Sequence, residues 1–67
     1  MQMRFIIEAY EGAVLKEYVI IRNLKGLRHA LKWLLREGYK LEKAEVGNKP
    51  TLSNPDMDFI IMMNKGD

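Results

Sequence analysis

The hydroxyls that could act as nucleophiles are few: the chain holds one serine, Ser53, and one threonine, Thr51, beside one histidine, His29, and no cysteine. Nucleophilic catalysis needs a hydroxyl or thiol beside a base that an acid orients. Both hydroxyls fall in a proline-rich stretch, His29 falls in a helical pattern, and no spacing joins them. Asp56 and Asp58 flank Met57, so on a strand both carboxylates point to one face. A magnesium site needs more oxygen ligands than that pair supplies. The plainer expectation is that Asp56 ends a loop and Asp58 is a solvated strand residue. Gly47-Asn48-Lys49-Pro50 lacks the second glycine of a phosphate loop, and its proline removes a backbone donor. One histidine without cysteine also leaves no ligand set for structural zinc. We therefore expect no catalytic residue, no metal, no cofactor and no small-molecule substrate, and the chain reads as a non-enzyme.

A second pattern concerns charge. Lys25, Arg28, His29, Lys32 and Arg36 recur at helical spacings of three, four and seven, which places them on one stripe. Arg22 and Lys40 extend the stripe at its ends, Glu37 is the one acid in that stretch, and Trp33 lies at its edge. A basic stripe beside an aromatic is a footprint that fits nucleic acid. The competing reading is a solvated helix face with Trp33 covering the rim of the core. A net charge of only +2 favours the second. Nucleic-acid binding through Lys25, Arg28, Lys32, Trp33 and Arg36 stands as the alternative.

The elements that must position these residues follow from periodicity. Met3 to Tyr10 and Val14 to Ile21 are rich in β-branched and aromatic residues and predict two strands. Glu11-Gly12 between them signals a hairpin turn, longer than two residues if glutamate is a poor fit at its centre. Leu24, Leu27, Leu31, Leu34 and Leu35 share one helical face, predicting a helix over Leu24 to Glu37. Asn23 suits its N-cap and Gly38 its C′ position, with Tyr39 folding back on Leu34. Tyr39 to Val46 predicts a third strand, Gly47 to Asp56 a loop, and Met57 to Met63 a fourth strand. The expected fold is an α+β two-layer sandwich of ββαββ order: a four-stranded, mainly antiparallel sheet with one helix on one face, in a single domain over 1–67. The strand order stays open.

One helix covers one side of such a sheet, so the other side should alternate to polar. It does not. Met3, Phe5, Ile7 and Ala9 line one face of the first strand, yet Ile6 and Tyr10 point the other way. Phe59, Ile61 and Met63 oppose Ile60 and Met62, and Val19 and Ile21 oppose Tyr18 and Ile20. Ile6, Tyr10, Ile60 and Met62 are thus expected to form an open apolar face, for a homodimer contact or a protein partner. The alternative is that the loop over 47–56 folds across and covers it.

Sixty-seven residues bury only about 60% of the surface of the unfolded chain, a thin margin that small domains often widen by self-association. At 48% hydrophobic and 30% charged the chain is too apolar for disorder. Its longest apolar runs, such as Phe59 to Met63, fall far short of the roughly 20 residues that span a membrane. Glu8 interrupts the apolar residues after Arg4 too early for a signal peptide. With no cysteine, the expected location is the cytoplasm.

Glu17-Tyr18-Val19-Ile20, then Leu31-x-x-Leu34-x-x-Glu37-Gly38-Tyr39-x-Leu41, then Phe59-Ile60-Ile61 resembles a small bacterial family of unknown function. Its members run E-Y-K-V-V, a helix, L-G-x-E-G-W-E-L and a closing F-I-F-K-R strand. The resemblance spans residues 17 to 64. This chain departs from the pattern with Tyr39 in place of Trp and with no basic pair after the last strand. The resemblance implies a fold and, since the family's role is unassigned, no function.

Overall fold

The structure is a computed structural model that describes residues 2–66. Two strands, β1 (Met3–Glu11) and β2 (Val14–Ile21), are followed by the helix α1 (Leu24–Arg36) and two more strands, β3 (Lys40–Asn48) and β4 (Met57–Asn64). The sheet order is β2-β1-β4-β3. Its central pair, β1 and β4, is parallel, and both outer pairs are antiparallel. The ββαββ two-layer sandwich expected from the sequence is therefore present, with the strand order now defined. The helix carries the chain from one edge strand, β2, to the other, β3.

Local chemistry explains the element ends. Glu11 pairs with Val14, so the hairpin turn holds only Gly12 and Ala13. It is shorter than the sequence suggested, because Gly12 rather than Glu11 takes the first central position. There φ is +64°, a value glycine adopts without steric cost. The Asn23 side chain accepts a hydrogen bond from the Gly26 N–H at 2.7 Å, capping the helix. At the other end Gly38, at φ +102°, donates to the Leu35 carbonyl, and Tyr39 donates to that of Leu34 at 3.0 Å. These are the two bonds of a Schellman ending. They turn Tyr39 back into the core beside Leu34.

The core lies between α1 and the sheet. Ile7, Ala9, Leu34, Tyr39, Ile61 and Met63 are buried there, with Val19, Ile21, Leu27, Ala30 and Leu31 packed around them. Phe5 stacks on Phe59 across the parallel pair, with ring centroids 5.4 Å apart. A helix about 10 Å wide cannot cover four strands about 19 Å across. It lies toward β2 and leaves β3 exposed along its whole length.

That offset corrects one expectation. The leucines do not all face the core: Leu34 is buried and Leu27 and Leu31 half-buried, but Leu24 and Leu35 are exposed. At about 100° per residue those two sit roughly 90–110° round the helix from the face centred on Leu27, Ala30 and Leu34. Leu35 edges an apolar groove between α1 and β3, lined also by Leu31, Leu41, Ala44, Ile61 and Met63.

Candidate functional site

The sheet face turned away from the helix gathers the expected interface residues. In the parallel pair Ile6 stands beside Ile60, Glu8 beside Met62 and Tyr10 beside Asn64. In the hairpin Ile6 is opposite Ile20 and Glu8 opposite Tyr18. Residues paired this way share a face, so Ile20, Ile6 and Ile60 form an apolar band across three strands. Gly47 of β3 completes the band: a Cβ there would lie 2.6 Å from Ile60 Cδ1, so Ile60 rests directly on the glycine.

Ile6, Tyr10, Ile60 and Met62 are on this face as expected, but each is half-buried by its neighbours. The greater exposure is on β2, where Tyr18 is 54% and Ile20 46% exposed. Leu15 joins them through an irregularity that the sequence does not signal. Ala9 pairs with Glu17 and Tyr10 with Leu15, so Lys16 is an extra residue and Leu15 comes round to the open side. Simple alternation would place Leu15 beneath the helix.

Both signs of charge rim the band. Arg4 donates from Nε and Nη2 to the two oxygens of Asp58, each at 2.8 Å. Asp58 is therefore paired and only 13% exposed, not the solvated residue expected. The hydrogen bonds from Arg4, assisted by its charge, hold the Asp58 carboxyl below the usual carboxylate range against the opposing effect of burial. Tyr10 donates to Glu8 Oε1 at 3.3 Å. Burial and the Glu8 charge push the Tyr10 phenol up. Lys43 and Glu45 pair at 3.4 Å on the β3 side of the rim.

The loop does not cover this face. β3 continues to Asn48, shortening the connection, and residues 49–55 are all exposed. Thr51 and Asn54 close a turn within it by a 2.7 Å backbone bond, and Leu52 is fully solvent-exposed. The connection folds on itself because its polar side chains supply its own partners, including the Thr51 Oγ1 bond from the Asn54 N–H at 2.9 Å.

The helix stripe is equally open. Lys25, Arg28, His29, Lys32, Trp33 and Arg36 are exposed, and among the described residues none of these cations has a carboxylate within salt-bridge distance. Thr51 and Ser53 contact each other at 3.2 Å in the loop, whereas His29 is exposed on α1. Among the described residues no group of three or more acidic, histidine or cysteine side chains could hold a metal ion. No described helix is long and apolar enough to cross a membrane. No family model matches the chain, and no curated protein or solved structure matches it either.

Proposed function

We propose that this chain is a non-enzymatic interaction protein that binds a second copy of itself through the open sheet face. The observation that carries the reading is the uncovered band of Leu15, Tyr18, Ile20, Ile6 and Ile60. The described surface totals 4951 Å², several hundred Å² above the roughly 4400 Å² typical of a compact chain of this length. The face is a broad, shallow sheet surface without an enclosed pocket, which suits a protein surface better than a small molecule.

A second copy is favoured by the rim. Arg4 and Asp58 at one end and Lys40, Lys43 and Glu45 along β3 place both signs of charge at the border of the face, with Glu8 inside it between Tyr18 and Met62, so the face can meet itself with opposite charges in reach of each other. Four strands of about eight residues give a flat footprint of roughly 500 Å², which corrugated side chains enlarge toward the ~800 Å² per partner of a standard interface. Aligned sheets pack face to face in this manner about 10 Å apart.

Tyr18→Lys with Ile20→Lys tests the reading, since both side chains are exposed and the fold does not need them. Sedimentation equilibrium should show association weakened at least about 100-fold, equivalent to roughly 2.7 kcal/mol. Unchanged association in a folded variant overturns it.

A second reading rests on the unpaired helix cations beside exposed Trp33, a surface suited to single-stranded nucleic acid. Binding of an oligonucleotide should then fall steeply with added salt and vanish in Lys32→Glu with Arg36→Glu. No binding at low salt disposes of it.

A further inference from the structure

Lys40, Lys43 and Glu45 of the edge strand β3 border the open face, and with Glu42 they also form a charge pattern along the sheet edge itself. The first six residues of β3 run Lys40-Leu41-Glu42-Lys43-Ala44-Glu45, and all are exposed. We propose that β3 pairs antiparallel with β3 of a second copy, about a twofold axis normal to the sheet, joining two four-stranded sheets into one of eight strands. In the register that sets Leu41 opposite Ala44 of the second copy, Lys40 lies opposite Glu45 and Glu42 opposite Lys43. Symmetry repeats each pairing. A shift of one residue in either direction places Lys43 opposite Lys43, or Glu42 opposite Glu42, and like charges directly opposite repel.

This register would be impossible for a regular strand. Opposed residues of an antiparallel pair share a face, whereas sequence neighbours such as Glu42 and Lys43 alternate. The bulge in β3 removes the conflict. Leu41 pairs with Met63 and Lys43 with Met62, so Glu42 is the extra residue. Leu41 shares the helix side with Met63, so Glu42, the next residue, falls on the open side, the side that Lys43 shares with Met62. Lys40, Glu42, Lys43 and Glu45 therefore stand on one face and Leu41 and Ala44 on the other, as the pairing requires.

Edge lysines and bulges ordinarily keep sheet edges apart. Here the same devices reject every neighbouring register and attract in one, which is how a specific edge contact differs from aggregation. On the helix side the pairing sets Leu41, 62% exposed in the single chain, against Ala44 of the second copy. The two α1–β3 grooves then run together as one apolar trough.

Because Lys40, Lys43 and Glu45 also border the open face, the edge contact is separated from the open-face contact by rescue of paired charge swaps, read as absolute mass from light scattering at about 100 µM, well above the roughly micromolar Kd of a modest homodimer. Lys43→Glu replaces the cation opposite Glu42 with a second carboxylate and should halve the mass of the assembly. Adding Glu42→Lys in the same chain restores opposite charges and should restore the mass. Lys40→Glu and its rescue by Glu45→Lys give a second, separate swap. A Lys43→Glu mass equal to wild type overturns the edge pairing, as does a double swap that stays dissociated. Tyr18→Lys with Ile20→Lys leaves the edge intact, so a loss there with no loss in Lys43→Glu condemns the edge contact alone.

Discussion

Arg4 and Asp58 are locked by two parallel hydrogen bonds of 2.8 Å across the central β1–β4 pair, on the sheet face that the helix leaves open. Bidentate geometry of this kind fixes orientation as well as charge. It ties together strands more than fifty positions apart in sequence, at the edge of the apolar band.

The pair predicts a pH dependence. Asp58 has a lowered pKa in the folded chain, so its contribution is present above the unfolded carboxylate pKa of about 3.9 and is lost as pH falls through the lowered value. Thermal unfolding midpoints of wild type and Asp58→Asn should differ at neutral pH. The gap should begin to close below about pH 3.9 and vanish beneath the folded pKa. A gap of constant size down to strong acid would show that the ion pair is not its cause.

Leu34 and Leu35 are neighbours in sequence with opposite fates, one buried and one exposed beside the groove. Leu34→Ala should cost about 2–5 kcal/mol, enough to unfold much of a domain this small. Leu35→Ala should change stability by about 0.5 kcal/mol or less, as exposed positions usually do. Denaturant titrations of both variants check the contrast, and equal losses would contradict the placement of α1.

Gly47 has its own consequence. A methyl group there meets Ile60 Cδ1 at 2.6 Å, and Ile60 must swing off the strand. Gly47→Ala should destabilise by about 1 kcal/mol, the low end of overpacking because the two atoms it meets most closely, Ile60 Cδ1 and Cγ1, belong to one side chain that can rotate on an open face. Carbon-detected shifts of the Ile60 methyl groups would report the movement. An unmoved Ile60 would mean that it does not rest on Gly47.

Much of this was readable in the residues. Asn23 and Gly38 marked the helix because capping is a local hydrogen-bond problem with few solutions. The two-sided strands were visible in the alternation of Ile6 against Ile7 and Ile60 against Ile61. The parallel pairing of β1 with β4 was not, since nothing local decides which edge a crossover reaches. Nor was the open-side placement of Leu15 and Lys43, because each depends on a bulge that reverses the alternation beyond it. The exposure of Leu24 and Leu35 escaped for a related reason: periodicity gives a helix its apolar stripe but not the angle at which the stripe meets the sheet.

The central claim is that the open sheet face associates, and amide chemical shifts followed on dilution test it residue by residue. Between about 1 mM and about 10 µM, a range that spans a weak homodimer, the signals of Ile6, Tyr18, Ile20 and Ile60 should move together along one binding curve. Shifts that stay fixed on that face, or that move only on α1, would contradict it.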